Sequence, residues 1–105
     1  MKPIKKDATM KDYQEYVKEM EVERGFSEQN VLDKCLILGE EVGELFKAVR
    51  KDEKIKVDHN SKFGSVDEEI ADIIIMLCAV ANRYGIDMEE AFRNKEEING
   101  KREWK

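Results

Sequence analysis

The segment that most restricts the fold runs from Ile70 to Val80, because it is apolar nearly all round a helix yet contains one acidic residue, Asp72. Such a helix must be buried within a bundle or against another subunit. Stripping water from a lone ionised carboxylate costs several kcal/mol even after the protein relaxes. Asp72 is therefore expected to be protonated, to face water, or to be held by a cation within a dry wall of isoleucines.

Composition places this segment in an all-α protein. Charged residues make up 41% of the chain and hydrophobic residues another 41%, with six glycines and one proline. This is the composition of amphipathic helices rather than of a sandwich or barrel. With 105 residues, the chain is long enough for one domain, spanning 1–105, and too short for two.

Apolar periodicity predicts four helices in a bundle-like subunit. They are expected to begin after Thr9, between residues 27 and 31, at Ser65 and at Asp87, and to end at Gly25, near residue 50, at Gly85 and near residues 99–100. Ser65 with Glu68, and Asp87 with Glu90, have the spacing of capping boxes. The polar connector 51–64 is long for a bundle, which predicts either a lid or a disordered segment.

The second helix carries a second apolar stripe, made by Leu32, Leu36 and Phe46. This stripe predicts that the helix is buried on two sides. Cys35 and Cys78 lie far apart among apolar neighbours and form no CxxC pair, so both are expected to be buried reduced thiols.

Net charge and the lack of an apolar run long enough to span a membrane limit the possible binding partners. The charge of −5 opposes unaided binding to nucleic acid or to an anionic membrane. The first residues lack the apolar core of a signal peptide, and the longest uncharged run, 73–82, is too short to span a membrane. A soluble cytoplasmic protein is expected, and an acidic protein that handles phosphates needs a metal ion.

Five acidic residues form the principal candidate site. Glu40, Glu41 and Glu44 point to the same general side of the second helix, since Glu41 and Glu44 lie roughly 60° apart around it. Glu69 and Asp72 share a face of the third helix. If the helices face each other, Glu41, Glu44, Glu69 and Asp72 converge, and they then repel one another or stay protonated unless divalent cations neutralise them. Oxygen ligands alone favour Mg²⁺ or Mn²⁺.

Two glycines accompany these acids. Gly39 and Gly43 lie one turn apart on the acidic side of the second helix and destabilise it relative to alanine. We expect them to permit close approach by another helix or by a ligand.

The motifs "EEVGE" (residues 40–44) and "EIAD" (residues 69–72), separated by a helix–loop–helix gap, resemble the signature of the MazG-like all-α nucleoside triphosphate pyrophosphohydrolases. The resemblance covers roughly residues 10–104. It implies a Mg²⁺-dependent enzyme that cleaves a nucleoside triphosphate to monophosphate and pyrophosphate in nucleotide-pool house-cleaning. By the same resemblance, Glu41, Glu44, Glu69 and Asp72 are the metal ligands, while Glu40 is an auxiliary ligand or orients and deprotonates the attacking water.

The C-terminal residues add candidates for substrate binding. Lys95, Asn99 and Arg102 are spaced to share a helix face and resemble the K-x-x-x-N-x-x-R tail of several family members, which approaches the phosphates. Alternatively, they face solvent at a helix C-terminus. Trp104 is a candidate base wall or an interface residue. Other candidates for the base site are Phe26, Phe46, Phe63, Tyr84, Asn30 and Asn82.

Two other functions compete with this interpretation. A helical interaction module would use the apolar third helix to dimerise, and its melting would be indifferent to divalent metal. A di-iron bundle needs paired E-x-x-H motifs, whereas the only histidine, His59, lies far from both acidic motifs. The third helix also predicts a homodimer or homotetramer, whose active sites borrow residues from a neighbour.

Overall fold

The computed structural model describes residues 1–56 and 64–103, and this part of the chain contains four α-helices and no strand. The helices are α1 (Met10–Arg24), α2 (Val31–Asp52), α3 (Val66–Tyr84) and α4 (Met88–Gly100). The all-α prediction is confirmed. Within the same two ranges, none of the helices is long and apolar enough to cross a membrane.

Local capping fixes the ends of the first two helices. Thr9 and Asp12 exchange side-chain and backbone hydrogen bonds in a capping box at the start of α1. Asn30 and Asp33 form the corresponding box at the start of α2. Gly25 ends α1 with a φ of 77°, a left-handed conformation that glycine adopts without steric cost. The predicted start after Thr9 and the predicted end at Gly25 are both confirmed.

The starts of α3 and α4 differ from each other. Asp87 caps α4 by accepting a hydrogen bond of 3.0 Å from the Glu90 N–H, as predicted. Ser65 occupies the cap position of α3, but its hydroxyl faces the carboxylates of Asp67 and Glu68 and accepts no backbone hydrogen bond. The capping box predicted for Ser65 is therefore wrong in its hydrogen bonding, because acidic side chains crowd this first turn.

Helix α3 is the centre of the packing, with α2 on one side and α1 on another. The core joins Val17 and Met20 of α1 to Cys78 and Ala79 of α3. Cys78 and Ala79 are completely buried, and their small size lets the two helices approach closely. Helix α4 packs mainly on α1, whereas the acidic motifs lie on α2 and α3.

Several apolar side chains of α2 and α3 remain at least 40% exposed in the single chain: Leu32, Leu36, Phe46, Ile70, Ile74 and Leu77. The prediction that α2 is buried on two sides is thus wrong for one chain, because α3 covers only one side of it. Cys35 is also exposed, contrary to prediction, whereas Cys78 is buried as predicted.

The connector predicted between residues 51 and 64 is described only at its ends. Helix α2 extends to Asp52, which shortens the connector by two residues. Residues 57–63, with His59 and Phe63, lie outside the described residues, as does Trp104. The prediction of a lid falls mainly on these positions.

Candidate metal centre and active site

The acidic residues predicted from the two motifs converge where α2 and α3 pack together. Glu41, Glu69 and Asp72 each offer one carboxylate oxygen, and these three oxygens lie within 4.8 Å of one another. Glu69 and Asp72 present their carboxylates on the same side because they are one helical turn apart. Such a set of oxygens is the type of ligand that Mg²⁺ and Mn²⁺ prefer.

Glu44 joins this cluster from α2. Its carboxyl group lies within hydrogen-bonding reach of Glu69 and Glu41, and it also feels the charge of Asp72. Glu40, the fifth predicted residue, is exposed and is not among the side chains whose oxygens converge. We call Glu41, Glu44, Glu69 and Asp72 the acidic cluster.

Burial within the acidic cluster differs from the prediction. Glu69 is the buried member, with 2% of its surface exposed. Asp72 is exposed, and its flanking residues Ile70 and Ile74 are 46% and 42% exposed, so they supply no dry wall in the single chain. Facing water is one of the three states predicted for Asp72, but the predicted dry wall is wrong, because apolar neighbours along a helix point in other directions and do not cover the residue between them.

Two oxygens of the acidic cluster lack a donor. Oε2 of Glu41 and Oε2 of Glu69 are buried and have no hydrogen-bond partner among the described residues. The other oxygen of Glu69 accepts a hydrogen bond from the Gly64 N–H. A buried acceptor left without a partner costs about 1–3 kcal/mol, and more when it is charged. Since the close neighbours of both oxygens are other carboxylates, a divalent cation fits this donor set well.

The raised pKa values of two residues in the acidic cluster also favour a bound cation. Burial, followed by the charges of Glu44, Asp72 and Glu69, raises the pKa of Glu41 from 4.5 to about 7. Burial and then the proximity of Glu69 raise the pKa of Glu44 as well. At neutral pH, the cluster therefore holds negative charge at an energetic cost that a bound cation would remove.

Open space lies beside the two glycines of α2. A Cβ atom added to Gly39 or to Gly43 would meet no other atom within 4 Å among the described residues. No helix in the described part of the chain approaches either glycine closely, so the predicted close approach by another helix is not seen within the single chain. A ligand or a second subunit remains as the group that would occupy this space.

A cavity of about 250 Å³ lies between α1, α2 and α3 and shares Asp72 with the acidic cluster. Its other lining residues include Phe26, Gln29, Lys34 and Met76. Oε1 of Gln29 is buried and has no hydrogen-bond partner in the described part of the chain. Most of this lining was not predicted from the sequence.

A buried ion network forms part of the cavity wall. Arg83 donates to both carboxylate oxygens of Glu21, at 2.8 and 2.7 Å. Nζ of Lys34 lies 3.2 Å from the same carboxylate and 5.0 Å from the centre of the Phe26 ring. Only 2% of Lys34 is exposed. These three side chains hold two positive charges and one negative charge, and the carboxylate of Asp72 lies on the same cavity wall.

Lys34 was missed by the sequence analysis, although the sequence carries a signal for it. It lies three residues after Val31 and four before Leu38, within the apolar stripe of α2. A lysine within an apolar stripe predicts a buried ion pair. Its partner Glu21 belongs to another helix, and no local pattern identifies such a long-range pair.

The tail residues lie apart from the acidic cluster along the fold. Lys95 and Asn99 are on α4, which packs mainly on α1, and Arg102 follows α4. Lys95 and Arg102 are exposed. Oδ1 of Asn99 is buried and lacks a hydrogen-bond partner among the described residues.

The candidates for the base site also separate. Phe26 lines the cavity, whereas Phe46 and Tyr84 are 63% and 64% exposed. Asn82 exchanges hydrogen bonds with Gln14, which links α3 to α1. Asn30 caps α2. The two asparagines thus have structural partners, and of the three described aromatic candidates only Phe26 lines the cavity that Asp72 also lines.

An all-α chain with a carboxylate cluster between two helices has a site that suits a divalent cation. Residues 26–102 match the model of the MazG nucleotide pyrophosphohydrolase domain. The chain belongs to this family, and it is a nucleotide pyrophosphohydrolase. Members of the family generally use a divalent metal.

Solved structures agree with this assignment. The crystal structure of Ctag-iMazG from Vibrio DAT 722 is 31% identical, with a TM-score of 0.65, over 89% of this chain and 99% of that chain. The structure of Ntag-iMazG from the same source is 32% identical, also with a TM-score of 0.65, over 88% of this chain and 94% of that one. A comparison with curated proteins gave no match.

Proposed function

We propose that this single domain hydrolyses a nucleoside triphosphate to a nucleoside monophosphate and pyrophosphate, with Mg²⁺ as its cofactor and Mn²⁺ as an alternative. The observation that carries the proposal is the acidic cluster, in which two buried carboxylate oxygens have no donor. A role in clearing non-canonical or deoxynucleoside triphosphates from the cytoplasmic pool follows from the family resemblance.

In this proposal, Glu41, Glu44, Glu69 and Asp72 hold the metal. When bound, Mg²⁺ neutralises the triphosphate, polarises the phosphorus and lowers the pKa of water. Glu40 orients the attacking water and accepts its proton, because it is adjacent to Glu41 and its exposed carboxylate is free of the crowding that the cluster imposes. The acidic cluster thus binds and orients, and Glu40 moves the proton.

The cavity beside Asp72 accommodates the base. Its volume of about 250 Å³ is below the roughly 300–1,000 Å³ of pockets for drug-sized ligands, so it fits a single ring system rather than a whole nucleotide. Phe26 provides an aromatic wall. Because Asp72 belongs to both the cavity and the cluster, the base and the phosphates bind next to each other.

A second copy of the chain completes the active site in this proposal. The exposed apolar residues of α2 and α3 supply a surface for a homodimer or homotetramer. Since α4 packs on α1 rather than beside the cluster, we propose that its Lys95 and Asn99, together with Arg102, reach the phosphates bound by a neighbouring subunit. Trp104 would follow them as a base wall or an interface residue.

The exposed apolar residues also suit the competing function, a non-catalytic helical interaction module. The two functions differ in their response to metal. An interaction module has no use for four converging carboxylates, and its melting temperature would not respond to Mg²⁺ or Mn²⁺. The enzyme would be stabilised by either ion, because ions that bind only the folded state raise its stability.

The test is an assay of pyrophosphate release from a panel of ribonucleoside and deoxynucleoside triphosphates with Mg²⁺. Asp72→Asn should reduce kcat/KM at least about hundredfold, since even outer-shell changes at metal sites cost 10–100-fold. Asp67→Asn, on an exposed residue of the same helix, is the matched control and should retain activity. Full activity in Asp72→Asn would refute its role as a ligand. Failure to hydrolyse any nucleotide, with melting indifferent to both ions, would support the interaction module.

A further inference from the structure

Two polar residues that line the cavity, Lys34 and Gln29, can make further hydrogen bonds to a ligand. Lys34 has three N–H donors and no acceptor, and its carboxylate partner, Glu21, is already held by two hydrogen bonds from Arg83. Lys34 therefore has N–H donors beyond its ion pair with Glu21 that a ligand in the cavity can use, and Asp72 is the other carboxylate on the cavity wall. On the same cavity, Oε1 of Gln29 is a buried acceptor without a donor. A ligand that supplies both an acceptor and a donor would satisfy both residues.

From this arrangement, we infer that Lys34 and Gln29 set the base specificity of the enzyme and favour bases with a ring carbonyl beside an N–H. Uracil, thymine, guanine and hypoxanthine have this edge. The carbonyl oxygen accepts from Lys34, and the neighbouring N–H donates to Gln29. The inference rests on the proposed hydrolysis of a nucleoside triphosphate.

Bases with an amino group instead of the carbonyl are mismatched at both positions. In the same orientation, cytosine or adenine directs its amino group at the Lys34 ammonium, which is itself only a donor. Its ring nitrogen, an acceptor, then faces the oxygen of Gln29. Neither Lys34 nor Oε1 of Gln29 then gains a hydrogen bond from the base, and sites built to hydrogen-bond a substrate strongly reject analogues that lack the required group.

Two pairs of substrates test the recognition of this edge of the base. The bases of dUTP and dITP differ from those of dCTP and dATP, respectively, only in the carbonyl and the neighbouring N–H. We expect kcat/KM for the carbonyl member of each pair to be at least about tenfold higher. Equilibrium binding of dUMP and dCMP to the unmodified protein should show the same order without catalysis. Equal or reversed preference in both assays would overturn the inference, while hydrolysis itself would still support the proposed function.

Variants assign the preference to the two residues. In Lys34→Met, Glu21 keeps both hydrogen bonds from Arg83, and the ratio of dUTP to dCTP activity should fall towards one. Gln29→Leu should lower the ratio independently, which provides a second test if Lys34→Met does not fold by circular dichroism. Lys18→Met, an exposed lysine of α1, is the control and should keep the ratio. An unchanged ratio in both cavity variants would overturn the assignment. Absence of activity on all four nucleotides would instead contradict the proposed function.

Discussion

Removing one carboxylate from the acidic cluster should stabilise the metal-free protein, and this effect should depend on pH. Burial and the neighbouring acids raise the pKa of Glu41 from 4.5 to about 7. Between pH 4.5 and about pH 7, the Glu41 carboxyl has lost its proton in the unfolded chain but keeps it in the folded chain. Stability therefore falls as pH rises through this interval, because the unfolded state binds fewer protons.

The magnitude follows from the same pKa. A difference between 4.5 and about 7 corresponds to about 3 kcal/mol at high pH. Glu41 is only half-buried, so solvent screening reduces this value, and we expect about 1–3 kcal/mol. In a domain of this size, each kcal/mol shifts the melting temperature by roughly 4 °C.

The assay is thermal melting of the unmodified protein and Glu41→Gln in chelator-treated buffer at pH 5 and pH 8, at fixed protein concentration. Glu41→Gln should melt higher at pH 8 and nearly equally at pH 5. Added Mg²⁺ should raise the melting temperature of the unmodified protein and close most of this gap at pH 8. Glu40→Gln, at the adjacent exposed residue, is the control and should show a smaller pH dependence. A gain from Glu41→Gln that is as large at pH 5 as at pH 8 would refute the electrostatic reasoning.

The remaining predictions concern the open side of α2 and its exposed apolar residues. Gly43→Ala should stabilise the metal-free fold by about 0.8–1.0 kcal/mol, because alanine favours the helix and the added Cβ meets no atom within 4 Å. The same substitution should lower the rate of pyrophosphate release if substrate or a second subunit occupies that space. Unchanged kinetics would exclude that use of the glycine. Leu36→Glu should convert the oligomer to a monomer in size-exclusion chromatography with light scattering, whereas Val22→Glu on α1 should not; a monomeric unmodified protein would contradict this prediction.

The fold could be predicted largely from local signals. The polar residue before each helix and the glycine after α1 and α3 define helix ends within a few residues, because capping depends on neighbours in the sequence. What periodicity does not specify is which apolar stripe another helix covers. Leu32 and Leu36 form a stripe as regular as the buried one, but the single chain has no element to place against them.

The candidate site was predictable where its geometry is helical. The spacing of Glu41 and Glu44, and of Glu69 and Asp72, sets which side of each helix they occupy, so their convergence needs only that α2 and α3 face each other. Their burial could not be predicted, because it depends on how deeply each side chain lies in the groove between the helices. For this reason the buried acid of the cluster is Glu69, whereas Asp72 faces water.

The acidic cluster and the ion network around Lys34 both border the same cavity, which Asp72 and Lys34 line. The acidic cluster holds excess negative charge with unpaired oxygens on Glu41 and Glu69, so it destabilises the metal-free protein, as is common at sites where activity conflicts with stability. The network differs: burial acts to raise the pKa of Glu21, but the hydrogen bonds from Arg83 and Lys34 lower it overall, so these ion pairs stabilise the folded chain. A cation would neutralise the cluster, and a base carbonyl would accept a hydrogen bond from Lys34. A nucleotide bound with its metal is one ligand that reaches the two places together, since Asp72 borders both the cluster and the cavity.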